Sequence, residues 1–212
     1  HINIIMKEFL RGYKEVFTHR KTLQDMLIGV FLFIFGMSVS YFAYEYIATT
    51  NGPVAKDLFL DNLPTLYVAP WFFFSIFFMG AVAVILSILN PRRAPFILIC
   101  TGLFFAIRAF FLILTHLAPP NIEYYMGMST GSDLFFSGHV GYAFLLALMF
   151  WRNRLYKILF IALSIMMAAL VLLGHLHYSI DVFSAYFIVY VIFVIAKKVF
   201  KGEYEMLLRS HL

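Results

Sequence analysis

The stretch "APFILICTGLFFAIRAFFLILTHL" (94–117) runs for 24 residues with one full charge, Arg108. A hydrocarbon core of ~30 Å needs about 20 residues at helical rise, so a run of this length and composition reads as a membrane-spanning helix. Further apolar runs repeat the pattern at 26–48, 69–90, 136–152, 157–175 and 178–197. The composition agrees: 63% of the residues are hydrophobic and 13% charged, against roughly a quarter charged in a soluble domain. The expected fold is all-α, a polytopic membrane protein with six transmembrane helices in one bundle over 26–200. A charged amphipathic segment (1–25) precedes it and a short tail (201–212) follows. No small-residue cleavage site follows the first run, so it is not expected to be a signal peptide. Cys100, the only cysteine, lies inside a span and has no internal disulfide partner.

The basic residues orient the bundle. They cluster before the first span (Lys7, Arg11, Lys14, Arg20, Lys21), between the second and third (Arg92, Arg93), between the fourth and fifth (Arg152, Arg154, Lys157) and after the sixth (Lys197, Lys198, Lys201, Arg209). That accounts for all but two of the 16 lysines and arginines, leaving Lys56 and Arg108. By the positive-inside rule both termini are expected in the cytoplasm, with loops 49–68, 118–135 and 174–178 on the outer side. A basic pI of 9.3 would suit nucleic acid, but charges confined to the ends of spans argue for a membrane and against nucleic acid as partner.

Ionisable residues inside spans are costly and mark functional candidates. Here they are Glu45, Arg108, His116, His139, His175, His177 and Asp181. All but Arg108 fall in the outer third of their spans, and the long arginine side chain can reach outward. "SGH" (137–139) opens the fourth predicted span and "HYSID" (177–181) the sixth, so two helix N-termini point the same way. Their partial positive charge and unsatisfied N–H groups suit a phosphate. His177 and Asp181 stand four apart, a spacing that lets the carboxylate orient an imidazole nucleophile. His139 is the natural general acid, with Ser137 and the backbone beyond Gly138 as donors to phosphoryl oxygens. Interfacial placement at the start of a span also accounts for the His177/Asp181 pair taken alone. Arg108 also reads as a packing partner for Glu45.

"SDLFFSGHV" (132–140) followed by "HYSIDVFSAY" (177–186) resembles the sphingomyelin synthase family, a branch of the type-2 phosphatidic acid phosphatase superfamily. "IRAFFLILTHLAPP" (107–120) is similar to that family's arginine-containing segment, with Ala118 where a proline is common. The resemblance implies an enzyme with an extracytoplasmic site. No metal or cofactor is expected, since the histidines lack the further carboxylate or cysteine cluster that zinc or magnesium requires. Such an enzyme moves phosphocholine or phosphoethanolamine from a glycerophospholipid to ceramide or another lipid alcohol and releases diacylglycerol. It assigns the nucleophile to His177, its support to Asp181 and the acid/base to His139. Lipid phosphatases of the wider superfamily hold a doubly charged monoester with several basic residues, including an arginine six positions before the nucleophile, where this chain has Val171. One arginine, Arg108, with the acids Glu45, Glu123 and Asp133 suits a singly charged diester whose own cation meets a carboxylate or an aromatic face such as Tyr125. Two other readings stand beside this one: a lipid or polyprenyl diphosphate phosphatase on the same frame, and a non-catalytic lipid-binding or transport protein.

Overall fold

The structure, a computed structural model, describes residues 10, 12–14, 16, 18–50, 52–120 and 134–209. All regular structure among them is helical: α1 (Arg20–Ala48), α2 (Ala69–Leu89), α3 (Ala94–Leu114), α4 (Gly138–Met149), α5 (Arg154–Leu173), α6 (Ser179–Val199) and α7 (Lys201–Arg209), with short 3-10 turns at Leu60–Asn62 and Pro91–Arg93. Five of them, α1, α2, α3 with its preceding turn, α5 and α6, are long and apolar enough to cross a membrane, and α4 is a shorter apolar helix. This is an integral membrane protein.

The boundaries differ from the expected spans for local reasons. Helix α1 starts at Arg20, not 26, because "RKTLQD" is rich in good helix formers and continues the turn. The expected tail is likewise helical from Lys201 to Arg209 and buries Leu207. Helix α3 stops at Leu114, since Thr115 is extended and Pro119 and Pro120 follow. Helix α4 is cut to 12 residues. At its far end Asn153 turns away to cap α5, its side-chain oxygen accepting from the Tyr156 N–H at 3.1 Å.

Twelve residues cover only ~18 Å, and α4 stands inside the bundle. Val140, Gly141, Ala143 and the run Leu145–Phe150 are buried; Ala143 and Leu145–Phe150 share a core cluster with Phe96, Cys100 and Phe104 of α3, Phe160 of α5 and Ala185, Val189 and Ile192 of α6, while Val140 joins Phe72, Met167 and Val182 in another. A helix apolar all round belongs in such a place. Helix α1 is the opposite case. Its buried stripe is small, comprising Gly29, Gly36, Ser40 and Ala43 with Ile47, while Phe31, Phe35 and Phe42 stay exposed. The stripe lets its backbone lie on α3: a Cβ at Gly36 would fall 2.2 Å from the Gly102 carbonyl oxygen, and Ser40 Oγ donates to the Phe105 carbonyl at 3.0 Å. Small residues at such crossings are the usual means of helix association in lipid. The contact fixes α3, and with it Arg108.

The connections at one end of the bundle form a collar. The Leu66 N–H donates to the Leu173 carbonyl at 2.8 Å and the Ala118 N–H to the Pro53 carbonyl at 3.1 Å. The Tyr178 hydroxyl donates to the Ala118 carbonyl at 2.8 Å and accepts from the Ala55 N–H at 3.0 Å. Helix α5 enters this collar through a Schellman ending, in which the N–H of Leu176 reaches the Val171 carbonyl and that of His175 the Leu172 carbonyl. His175 takes the left-handed position, with φ 51°, where glycine is usual, and its Nε2–H donates to the Leu63 carbonyl at 3.2 Å. The charged end lies opposite, where Lys21, Arg92 and Arg209 line one cleft.

Candidate active site

The two histidine motifs meet inside the collar through the main chain. The N–H of Ser137, the residue just before α4, donates to the carbonyl of Asp181 in the first turn of α6 at 3.0 Å. That bond ties the starts of α4 and α6 together and sets the rings of His139 and His177 edge to face, with centroids 6.0 Å apart. Phe72 of α2 also packs on His139, with ring centroids 4.6 Å apart.

His177 and Asp181 do not share a helical face, as their spacing suggests. Helix α6 begins at Ser179, and His177 lies before it in the turn. Asp181 is the third helical residue. Its Oδ2 accepts the Tyr178 N–H at 2.9 Å and stands 3.4 Å from His177 Nδ1. The carboxylate therefore caps the helix and faces the imidazole at once, leaving His177 Nε2 pointing away from it. The residue before the helix is Tyr178, and Ser179 contributes its backbone: the Ser179 N–H donates to Asp57 Oδ2 from the first collar loop, while Asp57 Oδ1 accepts from Phe59 and Leu60 at 2.9 and 3.1 Å. Burial would raise the Asp57 carboxyl, but the N–H groups of Ser179, Leu60 and Phe59 outweigh it and hold it below its ordinary value. Burial pushes the Tyr178 hydroxyl up.

Arg108 is 2% exposed and lies against the "SGH" turn. Its Nε–H donates to the Phe136 carbonyl at 2.9 Å and Nη1 to the Tyr44 hydroxyl at 2.7 Å. A Cβ at Gly138 would sit 2.8 Å from Arg108 Nε, so the glycine is what admits the guanidinium. Helix α1 reaches Arg108 through Tyr44; Glu45, its neighbour, is exposed. Among the described residues, Ser137 Oγ, His177 Nδ1 and Asp181 Oδ1 are buried without a hydrogen-bond partner. Buried polar atoms are rarely left so, and their convergence here suits a polar ligand.

The structure thus brings His139, His177, Asp181, Ser137, Gly138 and Arg108 into one place. It leaves Glu45 exposed and sets His116 beside Tyr46, 5.6 Å between rings. Asp133, Tyr125 and Glu123 lie outside the described residues. Sequence reasoning missed Asp57, Tyr178, Tyr44 and Phe72. The only available signal for Asp57 was an acid in the loop between the first two spans, and no spacing linked it to Ser179.

Residues 130–198, about a third of the chain, match the family model described as PAP2 superfamily C-terminal. The matched segment contains both histidine motifs. It supports the type-2 phosphatidic acid phosphatase superfamily, and with it an activity of the lipid phosphatase or phosphotransferase kind. No curated protein and no solved structure matches the chain.

Proposed function

We propose that this protein is a lipid phosphotransferase of the sphingomyelin synthase kind, moving a phosphocholine or phosphoethanolamine group from a glycerophospholipid to ceramide or a similar lipid alcohol. The observation that carries the reading is the pair of imidazoles held 6.0 Å apart by the Ser137–Asp181 main-chain bond. Rings this close let one imidazole approach phosphorus while the other reaches the leaving oxygen, at the reacting-atom distances of about 3–3.5 Å that such chemistry needs.

In the first half-reaction His177 Nε2 attacks phosphorus while Asp181 steadies Nδ1–H. The bond from phosphorus to the diacylglycerol oxygen breaks, and His139 gives that oxygen its proton. In the second, the acceptor hydroxyl loses its proton to His139 and attacks the phosphohistidine, and His177 departs neutral. Water in place of the alcohol gives phospholipase C-like hydrolysis. Arg108 puts one positive charge under the turn, in keeping with a diester of charge −1, and the helix starts at Gly138 and Ser179 supply dipoles. Asp133, Glu45 and Tyr125 are proposed to meet the headgroup's cation. The charge distribution supports six crossings, the fourth made by α4 together with the residues that flank it, with both termini cytoplasmic and the collar on the extracytoplasmic side.

The test supplies labelled phosphatidylcholine and phosphatidylethanolamine, with and without ceramide, to the purified protein in liposomes. Headgroup transfer with diacylglycerol release is expected, with a bell-shaped rate between about pH 5 and 8, since one histidine must be neutral and the other protonated. No transfer and no diacylglycerol from any phospholipid would end the proposal. Inorganic phosphate released from phosphatidic acid or a polyprenyl diphosphate at far higher rates would turn it to the phosphatase reading.

A further inference from the structure

Two cavities lie end to end between α1, α2, α3 and α4. The first, about 260 Å³, touches the site itself through Arg108, Gly138 and His139. The second, about 420 Å³, continues past Phe33, Val84, Ile88 and Leu98 to Pro91 at the charged end. Gly80 and Tyr142 line both, and beside Gly80 nothing lies within 4 Å of where a Cβ would stand, so the two are read as one groove with its waist at these residues. Its walls run from Ile76 to Ile88 on α2 and from Arg108 back to Ala94 on α3, about 18 and 21 Å at helical rise. That exceeds the ~15 Å that one leaflet of a bilayer supplies.

Away from Arg108 and His139 at its near end, the groove is hydrocarbon in character. Its few hydroxyls are engaged: Thr101 and Tyr142 hydrogen-bond to each other at 3.3 Å, Ser87 Oγ donates to the Ala83 carbonyl at 2.8 Å, and Tyr13 donates to the Ile88 carbonyl at 3.2 Å. A polar occupant would find little to bind, whereas a hydrocarbon chain leaves no group unsatisfied. Gly80 has no packing reason to be glycine. A Cβ there would meet nothing within 4 Å, whereas at Gly36, Gly102 and Gly138 it would strike a neighbour. Glycine inside a helix costs about 0.5–1 kcal/mol relative to alanine, and at Gly80 what it provides is the opening.

The geometry points to a tail subsite: one acyl or alkyl chain of the lipid whose headgroup lies between His139 and His177 occupies this groove, and Gly80 sets the chain length it accepts. The inference rests on the lipid-headgroup reading of the site. Filling the waist with Gly80→Phe, or less fully with Gly80→Leu, narrows the way into the far cavity.

The experiment compares kcat/KM for dipalmitoyl and dihexanoyl phospholipid donors in the full chain. Gly80→Phe is expected to lower the long-to-short ratio by about tenfold or more, with Gly80→Leu between it and the parent, since each methylene denied its pocket counts. An unchanged ratio overturns the subsite. A second measurement needs no turnover. A phospholipid with a photoreactive diazirine at the tail end should label the Val84–Ile88 and Ala94–Leu98 walls, and Gly80→Phe should reduce that labelling while labelling at exposed Phe77 and Phe110 persists. Labelling confined to those exposed rings in the parent protein also overturns it. Wall labelling without any headgroup turnover would sink the proposed reaction and keep the subsite; turnover with neither a chain-length effect nor wall labelling would do the reverse.

Discussion

Gly138 and Gly80 border the same cavity and do opposite things. At Gly138 a side-chain carbon would lie 2.8 Å from Arg108, and at Gly80 it would touch nothing within 4 Å. Around Gly138 the structure is closed: Ser137 is bonded to Asp181, Arg108 to Phe136 and Tyr44, and α4 is enveloped by its neighbours. Around Gly80, helix α2 leaves a groove against α1 and α3. The collar end fixes its groups through hydrogen bonds to the main chain, and phosphoryl chemistry is sensitive to such placement. The α2 wall offers surface without fixed partners, which is enough for a tail recognised only by shape and burial.

The comparison breaks most completely at the collar's reacting groups. His177→Ala is expected to lower headgroup release at least about a thousandfold while elution on size exclusion and helical circular dichroism stay those of the parent. Residual activity within tenfold would remove His177 from the chemistry. Next comes Gly138→Ala, whose methyl displaces Arg108. Overpacking costs about 1–3 kcal/mol, and a drop in kcat of about tenfold or more is expected. Adding Arg108→Ala should restore much of the lost thermal stability and none of the activity. If the single variant melts and turns over like the parent, the closed packing at this turn is not what the site depends on.

A smaller effect is expected at Asp57, which joins the collar to the start of α6. Asp57→Asn weakens a charged cap and should cost about 1 kcal/mol. The sign of its pH dependence follows from a carboxyl held below its ordinary 3.8. Its added stability is complete above the unfolded value and is lost as the pH falls through the lower folded one. Melting curves from pH 3 to 6 should show the gap between parent and variant narrowing on acidification, and a constant gap would mean the cap is not electrostatic. The smallest change is His175→Gly. Glycine relieves a left-handed backbone worth about 1–2 kcal/mol and forfeits a hydrogen bond worth about 1 kcal/mol net, so the melting midpoint should barely move and turnover should stay within about twofold. A large loss of activity would bring His175 into the site.

Much of the bundle was legible in the chain itself. Long apolar runs have to pair their backbone groups internally in lipid, so helices over 26–48, 69–90 and 157–175 follow from hydropathy and length alone. The gathering of basic residues at one end was readable too, because lysines and arginines collect at the ends of spans on one side of the bilayer. The candidate nucleophile, acid and supporting carboxylate were also visible, because histidines and an aspartate at span ends are too costly to be casual. Less was readable at boundaries. The early start of α1, the helical tail and the shortened α4 depend on capping and propensity at a few positions.

What tertiary structure alone decided is the meeting of parts distant along the chain. The Ser137–Asp181 bond, the seat of Arg108 against Gly138, the use of Tyr44 in place of Glu45 and the reach of Asp57 to Ser179 join segments that no periodicity relates. Hydropathy is a local property that the bilayer reads residue by residue. Hydrogen bonds between loops, and the space left where helices fail to touch, exist only once the helices have packed.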